Sequence, residues 1–310
     1  IKYFDKWALY NDDPIGDPSA LAVFLLCQEV NKNGFKVLLS GEGADELFVG
    51  YNSYIRYFVF RFLCLLPNSN KIIKILSNLI KDSRLKDHLF LKDALNFPYF
   101  LGTSHNISIE NLSKLFCDSK KSLTTIFNFV KKSYKDPKNL FSALYYDQEF
   151  RLSNDLLVRA DKASMAHSVE IRVPFLSLKL LNYSRNIFFS KFISFLPMLN
   201  KIMLKIISYK LFGFFFTFRP KNGFDLPVDR WIYFLTKKSA KIYFKDSYFK
   251  DTLNYDFLKN SLNISKRNKK NISLIWHWLI IEKWYREWIL DSSKSLQKLY
   301  DKVPKDYFEI

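Results

Sequence analysis

The chain has 310 residues, 48% of them hydrophobic and 25% charged, a globular composition with length for about two domains and a sizeable core. Its net charge of +18, from 48 Lys and Arg against 30 Asp and Glu, never gathers into a long basic run and comes with no nucleic-acid-binding motif, so it reads as a lysine-solvated surface and not as a nucleic-acid partner. Cys27, Cys64 and Cys117 are odd in number and far apart, show no metal-ligand spacing, and suggest reduced thiols in a cytoplasmic protein.

Taken in order, Ile1–Asn11 is a short entry segment, and an Ile where Met is expected reads as the start of a fragment. Asp12–Pro18 is a proline-containing turn. Ser19 is the expected N-cap of a helix from Ala20 to about Lys32, with Gly34 where a C-terminal glycine belongs. That helix feeds a strand, Phe35–Leu39. The strand breaks at Ser40-Gly41-Glu42-Gly43, and Ala44-Asp45-Glu46-Leu47-Phe48 then has helix-forming composition. A strand, a glycine turn and a helix start form the geometry in which α/β folds hold anionic ligands. Three carboxylates, Glu42, Asp45 and Glu46, crowd this turn. Phosphate tolerates them only with a cation between, which suggests a Mg-nucleotide. The same residues also fit a plain tight turn that caps a surface helix.

From Tyr51 onward the pattern is helical. Asn70–Lys81 places Ile72, Ile75, Leu76 and Leu79 on one face. Asn154–His167 reads as a helix capped by Ser153 or Asn154, with Leu157, Asp161 and Ser164 on one side. Val173 precedes Pro174 and is therefore extended, so Glu170 and Arg172 point the same way. Asp161, Lys162, Glu170 and Arg172 form either a buried ion-pair network or the wall of a polar pocket. Tyr54–Leu66 is too short to span a bilayer and is broken by Arg56 and Arg61. Asn186–Phe218 is rich in Phe and Ile but punctuated by lysines, and reads as buried helices in preference to membrane contact. Trp276, Trp278, Trp284 and Trp288 read as core. Only one strand of parallel type is visible, so its sheet partners are expected from sequence outside the chain.

The stretch SGEGADELF-x-GY, Ser40–Tyr51, resembles the signature loop in the synthetase domain of glutamine-dependent asparagine synthetases. Two more blocks are similar to the same family in the same order: DLLVRADKASMAHSVEIRVPFL, Asp155–Leu176, and RPKNGFDLPVDRW, Arg219–Trp231. Asp12–Ala20 resembles the segment before the loop. The resemblance implies the C-terminal portion of a synthetase domain. The fold it implies is an α/β fragment, part of a doubly wound, ATP-pyrophosphatase-like parallel sheet, over residues 1–52, followed by a mainly α-helical region over residues 53–310.

It also implies a chemistry. ATP adenylates the side-chain carboxylate of aspartate with release of pyrophosphate, and ammonia, from glutamine in a complete enzyme, displaces AMP to give asparagine. Glu42 matches the glutamate that assists the ammonia step. Ser40 and Gly41 match the nucleotide-contacting pair, and Asp45 the aspartate that helps hold Mg²⁺. Lys221 matches the lysine that clamps charge on the adenylated intermediate; by itself it is an ordinary surface lysine. Asp161, Lys162, Glu170 and Arg172 would line the site. The resemblance allows a homodimer. Val49 stands where the family has glycine, a change at a helix end that looks harmless, and Ser177 stands where it has aspartate. No SGG-x-DS pyrophosphate loop and no cysteine-led glutaminase domain is present, so the chain alone is expected to be incomplete as a catalyst. The alternatives are a non-catalytic descendant that binds a nucleotide or a partner, and a related ligase acting on another carboxylate.

Overall fold

The computed structural model describes residues 2–79, 83–134, 136, 138–139, 141–189, 201–219, 226–235, 247–268 and 271–290. It is mostly helical. In chain order come α1 (Lys2–Leu9), α2 (Ser19–Lys32), β1 (Val37–Leu39), α3 (Ala44–Leu47), α4 (Asn52–Leu63), α5 (Ser69–Leu79), α6 (Ser83–Leu95), α7 (Ile109–Leu115), α8 (Ser119–Ser133) and α9 (Ser142–Tyr146). A π-helical stretch, Asp147–Leu156, leads into α10 (Leu157–Met165), then β2 (Glu170–Arg172), α11 (Leu178–Phe189), α12 (Ile202–Thr217), α13 (Val228–Leu235), α14 (Tyr255–Asn268) and α15 (Ile272–Tyr285). Among the described residues no helix is long and apolar enough to cross a membrane.

The chain folds into two compact units, each drawn from separated segments. One comprises residues 1–38, 159–171 and 224–310, the other residues 39–158 and 172–223. Both units take sequence from beyond residue 52.

The first unit is built around α15, whose sequence is apolar all round and whose Leu274, Ile275, Trp276, Trp278, Leu279 and Ile280 are buried. A helix with no polar face needs neighbours on every side. Phe4 of α1 meets Trp276 edge-on with ring centroids 5.7 Å apart, and Trp231 of α13 lies 6.0 Å from it. Trp276 and Trp278 are therefore core, as the sequence suggests. Trp284 and Trp288 are half-buried and donate their indole N–H groups to the carbonyls of Asp12 and Ala8. At the start of α2 the cap is not Ser19. The Asp17 carboxylate accepts both the Ser19 N–H, at 2.8 Å, and the Ser19 hydroxyl, at 2.7 Å. An aspartate two residues upstream reaches the free N–H groups before the serine can turn back on its own helix.

The second unit packs an aromatic core from α4, α5, α8 and α9, with Tyr54, Tyr57, Phe60 and Ile73 at most 1% exposed. Among the described side chains of α5, Ile73 is buried, while Ile75 is 60% exposed. Of the expected face, Ile72 and Leu76 are half-buried, and the side chain of Leu79 lies outside those described.

The helix expected to begin at Ser153 or Asn154 begins earlier. α9, the π-helical stretch and α10 run on continuously, with the Leu157 N–H donating to Leu152 O in the five-residue spacing of a π-helix. Ser153 turns its hydroxyl back to Glu149 O and caps nothing. The expectation of buried helices in Asn186–Phe218 is also corrected where it is described. α12 has no buried residue, and Phe215 is 90% exposed.

β1 has a partner within the chain, which corrects the lone-strand expectation. Glu170 N–H donates to Lys36 O at 2.8 Å and Ser40 N–H to Arg172 O at 2.9 Å. Both strands advance together along this ladder, so the pair is parallel. Among the described residues the sheet has these two strands.

Candidate active site

The loop after β1 is built by short-range constraints. Ser40 is held by its bond to Arg172 O, and its hydroxyl accepts the Glu42 N–H at 3.3 Å. Gly43 reverses the chain at φ 87°, a conformation that favours glycine, and a Cβ there would overlap the side chain of Leu176. Leu47 N–H then donates to Gly43 O at 2.9 Å and starts α3. Gly41 is exposed, with no atom within 4 Å of where a Cβ would sit, so its backbone is open to a ligand. Glu42 is half-buried at the carboxyl end of β1. Ser40, Gly41, Glu42 and Asp45 thus lie on one short turn.

The three carboxylates of this turn have separate environments. Glu46 points inward and is 1% exposed. Its carboxylate accepts the Tyr51 hydroxyl at 2.7 Å and lies 3.4 Å from Arg151 Nη1. The Arg151 guanidinium sits 4.6 Å from the centre of the Tyr51 ring, and Gln148 donates its side-chain N–H to Glu46 O at 3.1 Å. Burial pushes the Glu46 carboxyl above its ordinary range, opposed by the Tyr51 bond and by Arg151. Asp147, fully buried on the π-helical stretch, accepts the Thr103 N–H at 3.3 Å beside the hydroxyls of Tyr54 and Thr103. Burial raises it too, again against the pull of Arg151. The guanidinium thus contacts Glu46 and acts on Asp147 only through its charge. Sequence reasoning missed Arg151, Gln148 and Asp147, because no spacing links them to the loop.

Asp45 has a different partner. Its Oδ1 is 3.0 Å from Lys201 Nζ, is buried, and accepts no hydrogen bond. Among the described residues no group of three His, Cys, Asp or Glu side chains could hold a metal. Mg²⁺ commonly takes only one or two carboxylates, with water and phosphate oxygens as the remaining ligands. An otherwise unsatisfied Asp45 oxygen fits such a single-carboxylate contact, whereas Glu46 is already committed.

The expected site wall divides between the two units. Asp161, Lys162 and Glu170 belong to the first, and Arg172 to the second with the loop. Asp161 is exposed, and Lys162 pairs with Asp12 and, at 3.3 Å, with Asp13. Glu170 and Arg172 share the exposed side of β2. The nearest buried cation on α10 is one the sequence did not single out: Arg159, 7% exposed, pairs with Asp17 and also reaches the Ser19 hydroxyl. It ties the Asp12–Ala20 segment to the Asp155–Leu176 block. Lys221 lies outside the described residues.

Val49 is buried at φ 55°. A β-branched residue is strained there, so the departure from glycine at this position is not the harmless change that a helix end suggests.

The asparagine synthase family pattern matches residues 1–286. The chain is 27% identical over 299 residues to "Asparagine synthetase (glutamine-hydrolyzing) 1" of Bacillus subtilis (strain 168), covering 88% of this chain and 45% of that protein. A protein of Mycobacterium tuberculosis (strain ATCC 25618 / H37Rv), provisionally named an asparagine synthetase (glutamine-hydrolyzing), is 29% identical over 236 residues, covering 72% of this chain and 34% of its own length. A second provisionally named synthetase, from Methanocaldococcus jannaschii, is 26% identical over 182 residues, covering 55% and 33%. The chain spans less than half the length of each of these relatives. With the family pattern running from the entry helix through α15, the chain belongs to the asparagine synthase family.

Proposed function

We propose that the chain is part of an ATP-dependent amide ligase that makes asparagine from aspartate, ATP and ammonia, with glutamine as nitrogen source in the complete protein. The observation that carries this reading is the turn Ser40–Asp45. It combines an open backbone at Gly41, a half-buried Glu42 and a buried Asp45 oxygen whose described partner is the Lys201 ammonium, in a chain of this family. The paired strands β1 and β2 are then part of a doubly wound, ATP-pyrophosphatase-like sheet.

In this reading an aspartate side-chain oxygen attacks the α-phosphorus, the bond to the β-phosphate breaks, and pyrophosphate leaves. Ammonia then attacks the acyl carbon, the C–O bond to AMP breaks, and nitrogen gives up a proton. Ser40 and Gly41 hold the nucleotide by hydroxyl and backbone. Glu42 takes the proton or stabilises the charge on nitrogen, help of a kind worth roughly 10²–10⁴-fold in rate. Asp45 would hold a Mg²⁺, which when bound would neutralise phosphate charge. Lys221, by its match to the family's lysine, would supply positive charge to the adenylated intermediate. Of the expected site wall, Arg172 is the member in the same unit as the loop, and its carbonyl accepts the Ser40 N–H.

The test is ATP–pyrophosphate exchange with the full-length protein, assayed with aspartate and with other carboxylates, followed by ammonia-dependent amide formation. Aspartate-dependent exchange with equal yields of AMP and asparagine supports the reading. Exchange with a different carboxylate points to a related ligase. No exchange with any carboxylate leaves a nucleotide- or partner-binding descendant.

A further inference from the structure

We propose that Lys201 is the internal counter-ion of Asp45, and that a divalent cation displaces it from that carboxylate; this rests on the reading of Asp45 as the metal-facing residue. The pair is built by two stretches of chain that are far apart in sequence. Lys201 Nζ lies 3.0 Å from Asp45 Oδ1, with the two side chains 28% and 23% exposed. Its backbone is pinned to the end of the signature turn, where Lys201 N–H donates to Phe48 O at 3.2 Å. Lys201 adopts φ 52° and ψ 34° immediately before α12. The lysine is therefore held at the loop by its main chain while its ammonium can move.

Gly50 supplies the third part. Its N–H donates to Asp45 O at 2.8 Å. A Cβ at this position would overlap Asp45 Oδ1 and come within 2.5 Å of Lys201 Cε. The absence of a side chain at Gly50 is what leaves room for carboxylate and ammonium to meet.

The pair is electrostatically satisfied but poor in hydrogen bonds. Asp45 Oδ1 is buried without one, so the ammonium serves as a charge neighbour and not as a fixed donor. A divalent cation satisfies the same oxygen more strongly, and two cations cannot share it without strong repulsion. Glu46, the adjacent carboxylate, cannot take over either role, because it is buried and already held by Tyr51 and Arg151. Metal binding thus releases the Lys201 ammonium a short distance from the metal, where the phosphate oxygens of a nucleotide are its natural partner. The resting protein avoids an uncompensated, partly buried carboxylate, and the loaded protein gains a cation beside the phosphates.

The test uses Mn²⁺ alone, without nucleotide, titrated into the full-length protein and read by electron paramagnetic resonance. Lys201→Met keeps the methylenes and removes the charge, and it should tighten Mn²⁺ binding by about tenfold. Adding Asp45→Asn to that variant should abolish the gain. Lys201→Gln is the second neutral variant should Lys201→Met fold poorly, with circular dichroism as the check. Neutral Lys201 variants that bind Mn²⁺ no tighter than the wild type overturn the proposal. Wild-type binding that is lost in Asp45→Asn but unmoved by Lys201 variants overturns the counter-ion alone. Binding that survives Asp45→Asn removes Asp45 as a ligand and takes the metal part of the proposed function with it.

Discussion

Arg151 Nη1 lies 3.4 Å from Glu46 Oε1, joining the π-helical stretch to the signature turn across 105 residues of sequence. Glu46 is 1% exposed, and Asp147, which feels the charge of the same guanidinium, is fully buried. Removing one partner of a buried charge cluster costs more than the pair contributes, because the remaining charges are left without compensation. Arg151→Met should therefore destabilise the protein by about 3 kcal/mol. Arg151→Lys should recover only part of that, since it keeps the charge but not the planar stacking on Tyr51. Urea unfolding of both variants measures this; equal stability of Arg151→Met and wild type would refute the shared-cation account.

Asp147 and Glu46 also predict the sign of a pH dependence. Both carboxyl groups are raised by burial from ordinary values of 3.8 and 4.5. A raised carboxyl binds its proton more tightly in the folded chain than in the unfolded one. Its favourable contribution is complete below the ordinary value and is lost as pH climbs from there through the folded value. From about pH 4 upward these two groups should thus lower stability as pH rises. Asp147→Asn should flatten that slope. The comparison is unfolding free energy at successive pH values, and a slope unchanged in Asp147→Asn would mean that Asp147 does not titrate in this window.

Two backbone positions near the loop give opposite expectations. Gly43 sits at φ 87° against Leu176, so Gly43→Ala adds both strain and overlap and should cost about 2 kcal/mol. Val49 is buried at φ 55° with an unfavourable backbone. Val49→Gly loses packing but relieves that strain, and should cost less than about 1 kcal/mol. The control is Val130→Gly, equally buried but inside α8, where glycine loses packing and helix propensity together. Thermal melts of the three variants order them. If Val49→Gly is as damaging as Val130→Gly, the strain at Val49 is not significant.

For the chemistry, Glu42→Gln in the full-length protein should remove amide synthesis while ATP binding, measured by calorimetry, stays within about threefold of wild type. Ser40 and Gly41 carry the proposed nucleotide contacts, and the Glu42 side chain does not. Wild-type turnover in Glu42→Gln would exclude a catalytic role for this carboxylate.

Local structure was legible because it depends on neighbours in sequence. The α2–β1–turn–α3 order follows from short-range hydrogen bonding and from residues such as Gly34 and Gly43 that accept positive φ. The burial of Trp276 and Trp278 follows from an apolar run too long and too uniform to face water. The ordered blocks likewise pointed to the family that the whole-chain comparison shows. What the sequence could not decide is which charge meets which. Glu42, Asp45 and Glu46 look alike within a five-residue window, yet one is half-buried on the turn, one pairs with Lys201 and one is buried against Tyr51 and Arg151. The pairing of the extended Glu170–Arg172 segment with β1 and the exposed setting of α12 were equally invisible. Turns and periodic faces are set by interactions a few residues apart, whereas the pairing of a buried charge or a strand edge depends on segments that only the folded chain brings within a few ångströms.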